Sequence, residues 1–175
     1  MSVWFWIDLE MTGLNPLQDK ILEVALVVTN FSLETLGTYH KIVYQKDEVL
    51  KGMSDYVRKM HEKTGLLSKV PNEGILETAV DEELVAFVKR HLPLGEKAII
   101  AGNSIHQDRK FIDRYLKTFS TLLHYRMIDV SSFKIVFNSL SQMKFKKMNS
   151  HAALDDINES IAELKFYIEN MKDLK

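Results

Sequence analysis

The sequence has no cysteine among its 175 residues. Disulfide bonds and thiolate metal sites are therefore excluded, and the chain is compatible with a reducing compartment. Proline and glycine are scarce, at 3 and 7 residues, and no low-complexity tract or internal repeat marks a linker between domains. We expect residues 1–175 to form a single domain with a substantial hydrophobic core.

Long apolar segments and an excess of positive charge are missing as well. The apolar run near the N-terminus follows no basic region and meets Asp8 almost at once. This is not the pattern of a signal peptide or a membrane span, and we expect a cytoplasmic protein that does not act on membranes. The chain has 23 Lys and Arg residues against 24 Asp and Glu residues, whereas proteins that grip a long nucleic acid usually have a basic excess.

Hydrophobic periodicity predicts a mixed α/β domain. Strands are predicted over residues 3–11, 20–31, 35–45 and 97–103, with a brief one at 127–130, and the second and third are expected to form a hairpin. Short helices are predicted within residues 47–67, and longer ones over residues 77–92, 104–119, 130–140 and 152–172.

Two carboxylates stand one residue apart in a strand that is otherwise strongly apolar, WFWIDLEMTG (residues 4–13). Side chains i and i+2 of a strand share a face, so Asp8 and Glu10 point the same way as Trp6. No Lys or Arg lies close to them in sequence. Neighbouring carboxylates in a dry site repel each other unless a proton or a cation intervenes.

The helix predicted over residues 104–119 turns another carboxylate toward the interior. Ser104 and Gln107 open it at the spacing of a capping box. The apolar residues fall three, four, seven and eleven positions after Asp108 and share its face, whereas Asp113 lies off that face and is expected to be solvated. A charged residue on an inward face is rare unless it is paired or binds a cation.

The last predicted helix contains two adjacent aspartates with different expected environments. Its apolar stripe is Leu154, Ile157, Ile161, Leu164, Ile168 and Met171. At ~100° per residue, Asp155 falls roughly opposite the middle of this stripe and Asp156 falls at its border, so only Asp156 is expected to face the protein. His151 precedes the helix, five residues upstream of Asp156, where its side chain can lie over the same site.

Each of these residues also has a plain structural interpretation. A lone aspartate on a helix flank is usually solvated, a lone histidine before a helix is usually a cap or a surface residue, and Asp8 with Glu10 would suit a salt-bridged edge strand. Together, inward carboxylates without matching cations are harder to explain, because each costs several kcal/mol to bury unpaired. Two divalent cations would balance the charges, and oxygen-only ligands favour Mg²⁺ or Mn²⁺ over zinc.

The motifs, in this order, resemble those of the oligoribonucleases, which are 3′→5′ exoribonucleases of the DEDD group with a histidine-type final motif. DLEMTGL (8–14) resembles the first motif, GNSIHQDRKF (102–111) the second and HAALDD (151–156) the third, and HYRMIDVSSFK (124–134) resembles a segment characteristic of oligoribonucleases. The resemblance covers essentially the whole chain. It implies a ribonuclease H-like fold with a mixed five-stranded sheet flanked by helices, a homodimer, and hydrolysis of very short single-stranded RNAs, dinucleotides above all, to 5′-mononucleotides.

The resemblance assigns the chemistry to five residues. Asp8, Glu10, Asp108 and Asp156 become the ligands of two Mg²⁺ or Mn²⁺ ions, and His151 becomes the general base. Two ions in such a site clamp the scissile phosphate. A neutral imidazole with a pKa near ~6.5 can accept the proton of the attacking water at physiological pH.

The resemblance also implies a substrate-binding set. Its members are Leu14, Tyr56, His61, Ser104, Arg126 and Ser131. Leu14 resembles the residue that wedges between the two bases. Tyr56 stands in the segment MSDYVRKMH (53–61), where family members usually have Trp. A tyrosine still stacks on a base, although with less area.

One end of the substrate is expected to be capped. Ser104, Arg126 and Ser131 resemble the group that holds the 5′-phosphate, and Tyr125 resembles an active-site residue that reaches in from the second subunit. Arg126 is a charge-assisted donor, and Ser104 stands at a predicted helix start, where backbone N–H groups favour anions. A site closed in this way suits a substrate only a few nucleotides long, in keeping with the balanced net charge.

Two other functions are compatible with parts of the sequence. DLEMT resembles the D-x-D-x-T opening of haloacid-dehalogenase-type phosphatases, with Asp8 as the nucleophile and the LDD at 154–156 as a late acidic pair. Against this hypothesis, Glu10 stands where an aspartate acid/base belongs, and the acidic pair lies in a helical pattern. A metal-binding module without catalysis would leave His151 unexplained.

Overall fold

The computed structural model describes residues 3–141, 144–146 and 152–171. Five strands form one sheet, and they are β1 (Val3–Met11), β2 (Ile21–Asn30), β3 (Thr35–Ile42), β4 (Ala98–Gly102) and β5 (Leu123–Asp129). The helices among these described residues are α1 (Asp47–Lys51), α2 (Asp55–Lys63), α3 (Leu66–Glu73), α4 (Glu77–His91), α5 (His106–Tyr115), α6 (Lys117–Ser120), α7 (Val130–Leu140) and α8 (Ala153–Asn170).

The sheet is mixed, with the strand order β3-β2-β1-β4-β5. Strand β2 runs antiparallel to both β1 and β3, whereas β4 is parallel to β1 and β5 is parallel to β4. The predicted α/β fold with a mixed five-stranded sheet flanked by helices is therefore confirmed. Strand β1 is central, so both of its edges are paired, and helices cover both of its faces. Phe5, Trp6 and Ile7 are each at most 1% exposed.

Helices cover the two faces of the sheet and form two main cores. Phe5, Ile7 and Leu9 of β1 pack in the larger core, with residues of α4, α5 and α6. Trp6 packs on the opposite face in a second core that includes Ile157 of α8. Side chains alternate along β1, so Asp8 and Glu10 point to the same face as Trp6 and thus toward α8. A smaller cluster lies beneath α2 and α3.

The helix predicted over residues 104–119 is wrong at its start and near its end. Helix α5 begins at His106, because Ser104 has a left-handed backbone with φ of 49°. The predicted capping box does not form, since the start of α5 has no side-chain cap hydrogen bond. The backbone leaves helical geometry again at Leu116 (φ −109°, ψ 62°), and the remainder is the short helix α6.

Strand β5 is longer than the predicted segment 127–130. It begins at Leu123 and pairs with β4, with Met127 opposite Ile100. The first part of β5 carries polar and exposed side chains because it is an edge strand, and an apolar pattern does not reveal such a segment. The other predicted strands and helices match to within a few residues, except that α3 runs from Leu66 to Glu73 and so extends past Pro71 and beyond the predicted range 47–67. In the described part of the chain, every helix is too short or too polar to span a membrane.

The apolar stripe predicted for the last helix is correct at its start and wrong at its end. Ile157 and Leu164 of α8 are buried, but Ile168 is 45% exposed and Met171, just beyond the helix, is 44% exposed. The buried face of α8 instead includes polar side chains, which are Ser160, Glu163 and the hydroxyl-bearing Tyr167. The helix is therefore turned relative to its most apolar stripe.

Candidate active site

Three carboxylates meet where α8 packs on the central strand. Asp8, Glu10 and Asp156 each place a carboxylate oxygen within 4.8 Å of the other two. The first two share a face of β1, and Asp156 lies in the first turn of α8, which covers that face. Asp155 is exposed and Asp156 is partly buried, so the predicted orientation of the two aspartates is confirmed.

Asp108 approaches the same strand from α5. Its carboxylate Oδ1 accepts the backbone N–H of Leu9 at 3.0 Å, and Leu9 stands between Asp8 and Glu10. The side chain is 6% exposed, as the inward-face prediction required. Asp108 lies outside the group of three, but its charge helps to raise the pKa of both Asp8 and Glu10.

The carboxylates disfavour one another's charge. Burial, together with the charges of Glu23, Asp156 and Asp108, raises the pKa of Glu10 to about 8. Burial and the same kind of repulsion also raise the pKa of Asp8 well above its usual range. Burial raises the pKa of Asp108 to about 7 even though the hydrogen bond from Leu9 opposes the shift. A bound cation would reverse this pattern, since it favours the ionised carboxylates.

The donor set suits a hard divalent cation. Its donors are carboxylate oxygens of strand β1 and helix α8, with Asp108 of α5 beside them, and Mg²⁺ and Mn²⁺ prefer such oxygens. Within the described ranges, the group formed by Asp8, Glu10 and Asp156 is the one cluster of acidic or imidazole groups close enough to share an ion. The residues present therefore fit a metal site.

Glu23 is a member of the site that the sequence analysis missed. It lies opposite Glu10 in the β1–β2 register, and its charge contributes most, after burial, to the raised pKa of Glu10. His40 of β3 lies beside it, with Nε2 at 2.5 Å from Glu23 Oε1. The sequence marks Glu23 only as a glutamate in an otherwise apolar strand. Its position opposite Glu10 depends on the register between β1 and β2.

His61 of α2, which the resemblance places in the substrate-binding set, lies against a carboxylate of the cluster. Its side chain is fully buried, and Nε2 donates to the backbone carbonyl of Met11 at 2.9 Å, because a carbonyl oxygen only accepts. Nδ1 lies 3.9 Å from Glu10 Oε2. The β1–β2 register shifts between Glu10 and Met11, the two residues that His61 contacts.

The loop after β1 presents Leu14 to solvent on a fixed backbone. Leu14 is 68% exposed. The Asp19 carboxylate accepts the Thr12 hydroxyl at 3.0 Å and the Asn15 backbone N–H at 2.9 Å. A β-carbon at Gly13 would lie 2.5 Å from Asp19 Oδ2, so glycine leaves the space that this carboxylate fills. On α2, Tyr56 is also an exposed apolar side chain, at 77%.

Ser104 and Ser131 come together although 27 residues separate them. Their hydroxyl oxygens are 3.3 Å apart, and the Ser104 backbone N–H donates to Ser131 Oγ at 3.0 Å. Asp129 Oδ1 accepts the backbone N–H groups of Ser104 and Ser131 at 3.0 and 2.9 Å. The expectation that the Ser104 backbone is available to an anion is therefore wrong, because the Asp129 carboxylate occupies it.

Arg126 and Tyr125 project from the edge strand β5. The Arg126 guanidinium lies 4.9 Å from the centre of the Tyr125 ring, and Tyr125 is 72% exposed. Both side chains are therefore accessible to a ligand or a second protein chain. His151, the predicted base, lies outside the described residues.

Comparison with known proteins points to one group of enzymes. A family model described as exonuclease matches residues 5–164. The oligoribonuclease of Francisella tularensis subsp. tularensis (strain WY96-3418) is 42% identical over 164 residues, which cover 93% of this chain and 92% of that protein. The oligoribonuclease of Shewanella sp. (strain MR-4) is 41% identical over 166 residues, which cover 93% and 91%.

Solved structures of exonuclease I share the fold. The structure from Methylocaldum szegediense has a TM-score of 0.76 at 16% identity, and the match covers 99% of this chain and 42% of that one. The metal-free E. coli ExoI–ssDNA complex has a TM-score of 0.75 at 15% identity, with coverages of 99% and 41%. The chain thus spans less than half of these proteins, and the predicted ribonuclease H-like fold is confirmed.

The metal-free protein should lose stability as the pH rises. In the folded state the pKa of Glu10 is about 8 and that of Asp108 about 7, against ordinary values of 4.5 and 3.8. Folded pKa values above the unfolded ones give stability that is complete below the unfolded pKa and is lost as the pH passes through the folded pKa. With a chelator present, we expect the thermal unfolding midpoint of the wild type to fall more steeply between about pH 5 and about pH 9 than that of Glu10→Gln.

Asp155→Asn is the matched control, because it removes an exposed aspartate beside the cluster. Its unfolding midpoint should follow the wild-type pH dependence. Saturating Mg²⁺ or Mn²⁺ should flatten the wild-type curve. Parallel curves for the wild type and Glu10→Gln would contradict the repulsion inferred for the cluster.

Proposed function

This chain belongs to the oligoribonuclease family of exonucleases, and from that premise we propose that its carboxylate cluster hydrolyses very short single-stranded RNAs, with dinucleotides preferred. The protein is a 3′→5′ exoribonuclease. The observation that carries the proposal is the meeting of Asp8, Glu10 and Asp156 within 4.8 Å on the central strand. We also propose that residues 1–175 act as one exonuclease domain, and the cytoplasmic location stays a prediction.

We assign the metal site to Asp8, Glu10, Asp108 and Asp156, and propose two Mg²⁺ or Mn²⁺ ions. The oxygen-only donors and the raised pKa values of the cluster support this assignment. When bound, the ions supply Lewis-acid stabilisation of the charge that develops on the scissile phosphate and on the leaving 3′-oxygen. The protein's own contribution is to hold the carboxylates in place against their repulsion.

His151 is the proposed general base. Its support is the His-x4-Asp spacing to Asp156 and the resemblance of HAALDD (151–156) to the family's third motif. A neutral imidazole takes a proton from the water that attacks phosphorus, and the P–O3′ bond breaks. The products are a 5′-mononucleotide and an RNA that ends in a 3′-hydroxyl.

Exposed side chains around the cluster are proposed to hold the substrate. Leu14 stands on a fixed loop and is proposed to lie between the two bases, with Tyr56 stacking on one of them. Ser104 and Ser131, whose hydroxyls are 3.3 Å apart, are proposed to bind the 5′-phosphate together with Arg126. Asp129 already accepts the backbone N–H groups there, and Asn103 Oδ1 accepts the single proton of the Ser131 hydroxyl. The Ser104 hydroxyl and the Arg126 guanidinium are therefore the expected phosphate donors, with Ser131 holding Ser104 in place.

A homodimer is proposed as the active assembly. The support is an exposed apolar surface on α7, where Ile135, Val136 and Leu140 are 69%, 55% and 56% exposed. Tyr125 stands on the adjoining strand and is 72% exposed. In a dimer this tyrosine is proposed to contribute to the active site of the partner.

The phosphatase alternative has no support among the described residues or the comparisons. Asp155 and Asp156 lie in the first turn of α8 and not at a strand end, and only Asp156 joins the carboxylate group. Glu10 is itself a member of that group. Asp8 is therefore proposed as a ligand and not as a nucleophile.

The reaction is tested directly with Mn²⁺ and a labelled, 5′-phosphorylated dinucleotide. The wild type should release mononucleotides and should leave a generic phosphomonoester intact. Asp8→Ala, Glu10→Ala, Asp108→Ala and Asp156→Ala should each lower kcat by more than ~100-fold, because even residues that only support a metal ligand are worth ~10–100-fold. Asp155→Ala is the matched control and should retain activity. An essential Asp155 with a dispensable Asp156 would contradict the assignment.

Removal of the proposed base should affect the chemical step alone. His151→Ala should lower kcat by ~10²–10⁴-fold, the usual value of a positioned base. The Mn²⁺ concentration for half-maximal activity should change little. The wild-type rate should fall on the acid side of pH ~6.5 as the imidazole gains a proton, and this limb should be missing in the variant. An unchanged rate in His151→Ala would remove the residue from the mechanism.

Substrate length is set by the proposed phosphate cap. Among 5′-phosphorylated RNAs of two to about twenty nucleotides, kcat/KM should be highest for the dinucleotide, because a longer strand loses the charge-assisted contacts at the closed end. Arg126→Ala should reduce kcat/KM for the dinucleotide roughly ten- to a hundred-fold and flatten the series. Arg90→Ala, which removes an exposed arginine from α4, is the matched control. Equal efficiency at all lengths would exclude the cap while leaving the exonuclease reaction in place.

A further inference from the structure

A buried carboxylate that the proposed reaction does not use lies on α8. Glu163 is 0% exposed, in the described part of the helix that also carries Asp156. Its Oε1 accepts the Tyr167 hydroxyl at 2.7 Å, and its Oε2 accepts the Asn103 side-chain amide at 3.2 Å. A buried carboxylate is costly unless donors face it. The hydrogen bonds from Tyr167 and Asn103 meet this requirement, and the bond from Asn103 ties Glu163 to a residue outside α8.

Asn103 connects this carboxylate to both ends of the proposed site. On one side its Nδ2 donates to Ser160 Oγ at 2.7 Å, and Ser160 Oγ donates to the backbone carbonyl of Asp156 at 2.8 Å. On the other side its Oδ1 accepts the Ser131 hydroxyl at 3.2 Å. Ser131 in turn holds Ser104, whose backbone N–H donates to Ser131 Oγ. The chain of bonds thus joins the metal-ligand turn of α8 to the serine pair.

The direction of each bond is fixed by Glu163. The two Glu163 oxygens accept from Tyr167 and Asn103, so the NH₂ group of Asn103 faces Glu163 and its amide oxygen faces Ser131. The reversed amide would place its oxygen against the Glu163 carboxylate and its NH₂ group against the Ser131 hydroxyl. Glu163 therefore determines which end of Asn103 meets Ser131, the residue that holds Ser104.

We propose that Asn103, oriented by Glu163, is a positioning residue that fixes the span between the 5′-phosphate cap and the metal-binding carboxylates. The inference rests on the proposed function. A dinucleotide must place its 5′-phosphate at the serines while its scissile phosphate lies at the carboxylates. Both ends are tied to one amide, so their separation is set by the protein and selects the length of the substrate.

The test is the specificity for the 5′-phosphate, measured as the ratio of kcat/KM for a 5′-phosphorylated dinucleotide to that for its 5′-hydroxyl counterpart. Glu163→Gln places an amide of the same volume there, and this amide can offer Asn103 either its oxygen or its NH₂ group. A single orientation of Asn103 is then no longer enforced, and the ratio should fall about tenfold. Asn103→Asp sets two carboxylates against each other and should lower the ratio by a similar factor. A merely structural role would lower the unfolding midpoint and leave the ratio unchanged.

The double variant Asn103→Asp/Glu163→Gln gives the sharpest outcome. It retains the net charge, and the new carboxylate at position 103 accepts from both the amide at 163 and the Ser131 hydroxyl. The ratio should therefore be higher than in either single variant, which is a non-additive result. Additive losses, or a wild-type ratio in both single variants, would overturn the proposal.

Two further variants complete the design. Tyr167→Phe removes a donor from Glu163 without altering Asn103, so it should lower the unfolding midpoint and keep the ratio within about twofold. Asn103→Ala removes the link at its centre without a new charge and should lower the ratio even if Glu163→Gln does not fold. A wild type that releases mononucleotides without 5′-phosphate preference would overturn this inference and the proposed cap but would leave the exonuclease reaction in place. A wild type without metal-dependent release would overturn the proposed function itself.

Discussion

Repulsion among buried carboxylates is the constraint on which the rest of the structure depends. Asp8 and Glu10 stand on the central strand, which pairs with β2 from Val3 to Met11 and with β4 at Phe5 and Trp6. Asp108 is held to the same strand by its bond to Leu9. A less tightly paired strand would let these charges separate into water, and the site would lose the field that favours a cation. The rigidity of the sheet is therefore a requirement of the chemistry.

Local periodicity was sufficient to predict the residues that share a face with their neighbours. The two-residue repeat of a strand predicted that Asp8 and Glu10 share a face, and the helical repeat predicted that Asp156 and not Asp155 faces the protein. Glu23 and His61 could not be found in this way. Glu23 depends on the register between two strands, and His61 depends on how α2 packs against the end of β1. Both are tertiary facts, which a single sequence does not contain.

The pair of Ser104 and Ser131 shows another limit of prediction from sequence, which concerns where a helix begins. A helix start at Ser104 predicted available backbone N–H groups, but the left-handed backbone at that residue delays the helix and turns the N–H toward Asp129. The cost of this backbone is offset by the Asp129 carboxylate, which also fixes Ser131. The Asp129 carboxylate therefore explains both observations. It accounts for the helix that starts later than predicted, and it brings Ser104 and Ser131 together.

In helix α8, hydrophobicity alone predicts the wrong buried face. Its apolar stripe predicts burial of Ile168, which is 45% exposed, because the helix is turned to bury a polar face instead. Positions i, i+4, i+7 and i+11 share a helical face, and on α8 they are Asp156, Ser160, Glu163 and Tyr167. The metal ligand and the bonds to Asn103 therefore lie on one rigid surface. A rotation of α8 that buried more apolar area would move Asp156 away from β1, and it would also break the hydrogen bonds that link α8 through Asn103 to the serines. The metal site and the link to the serines therefore require the same orientation of the helix.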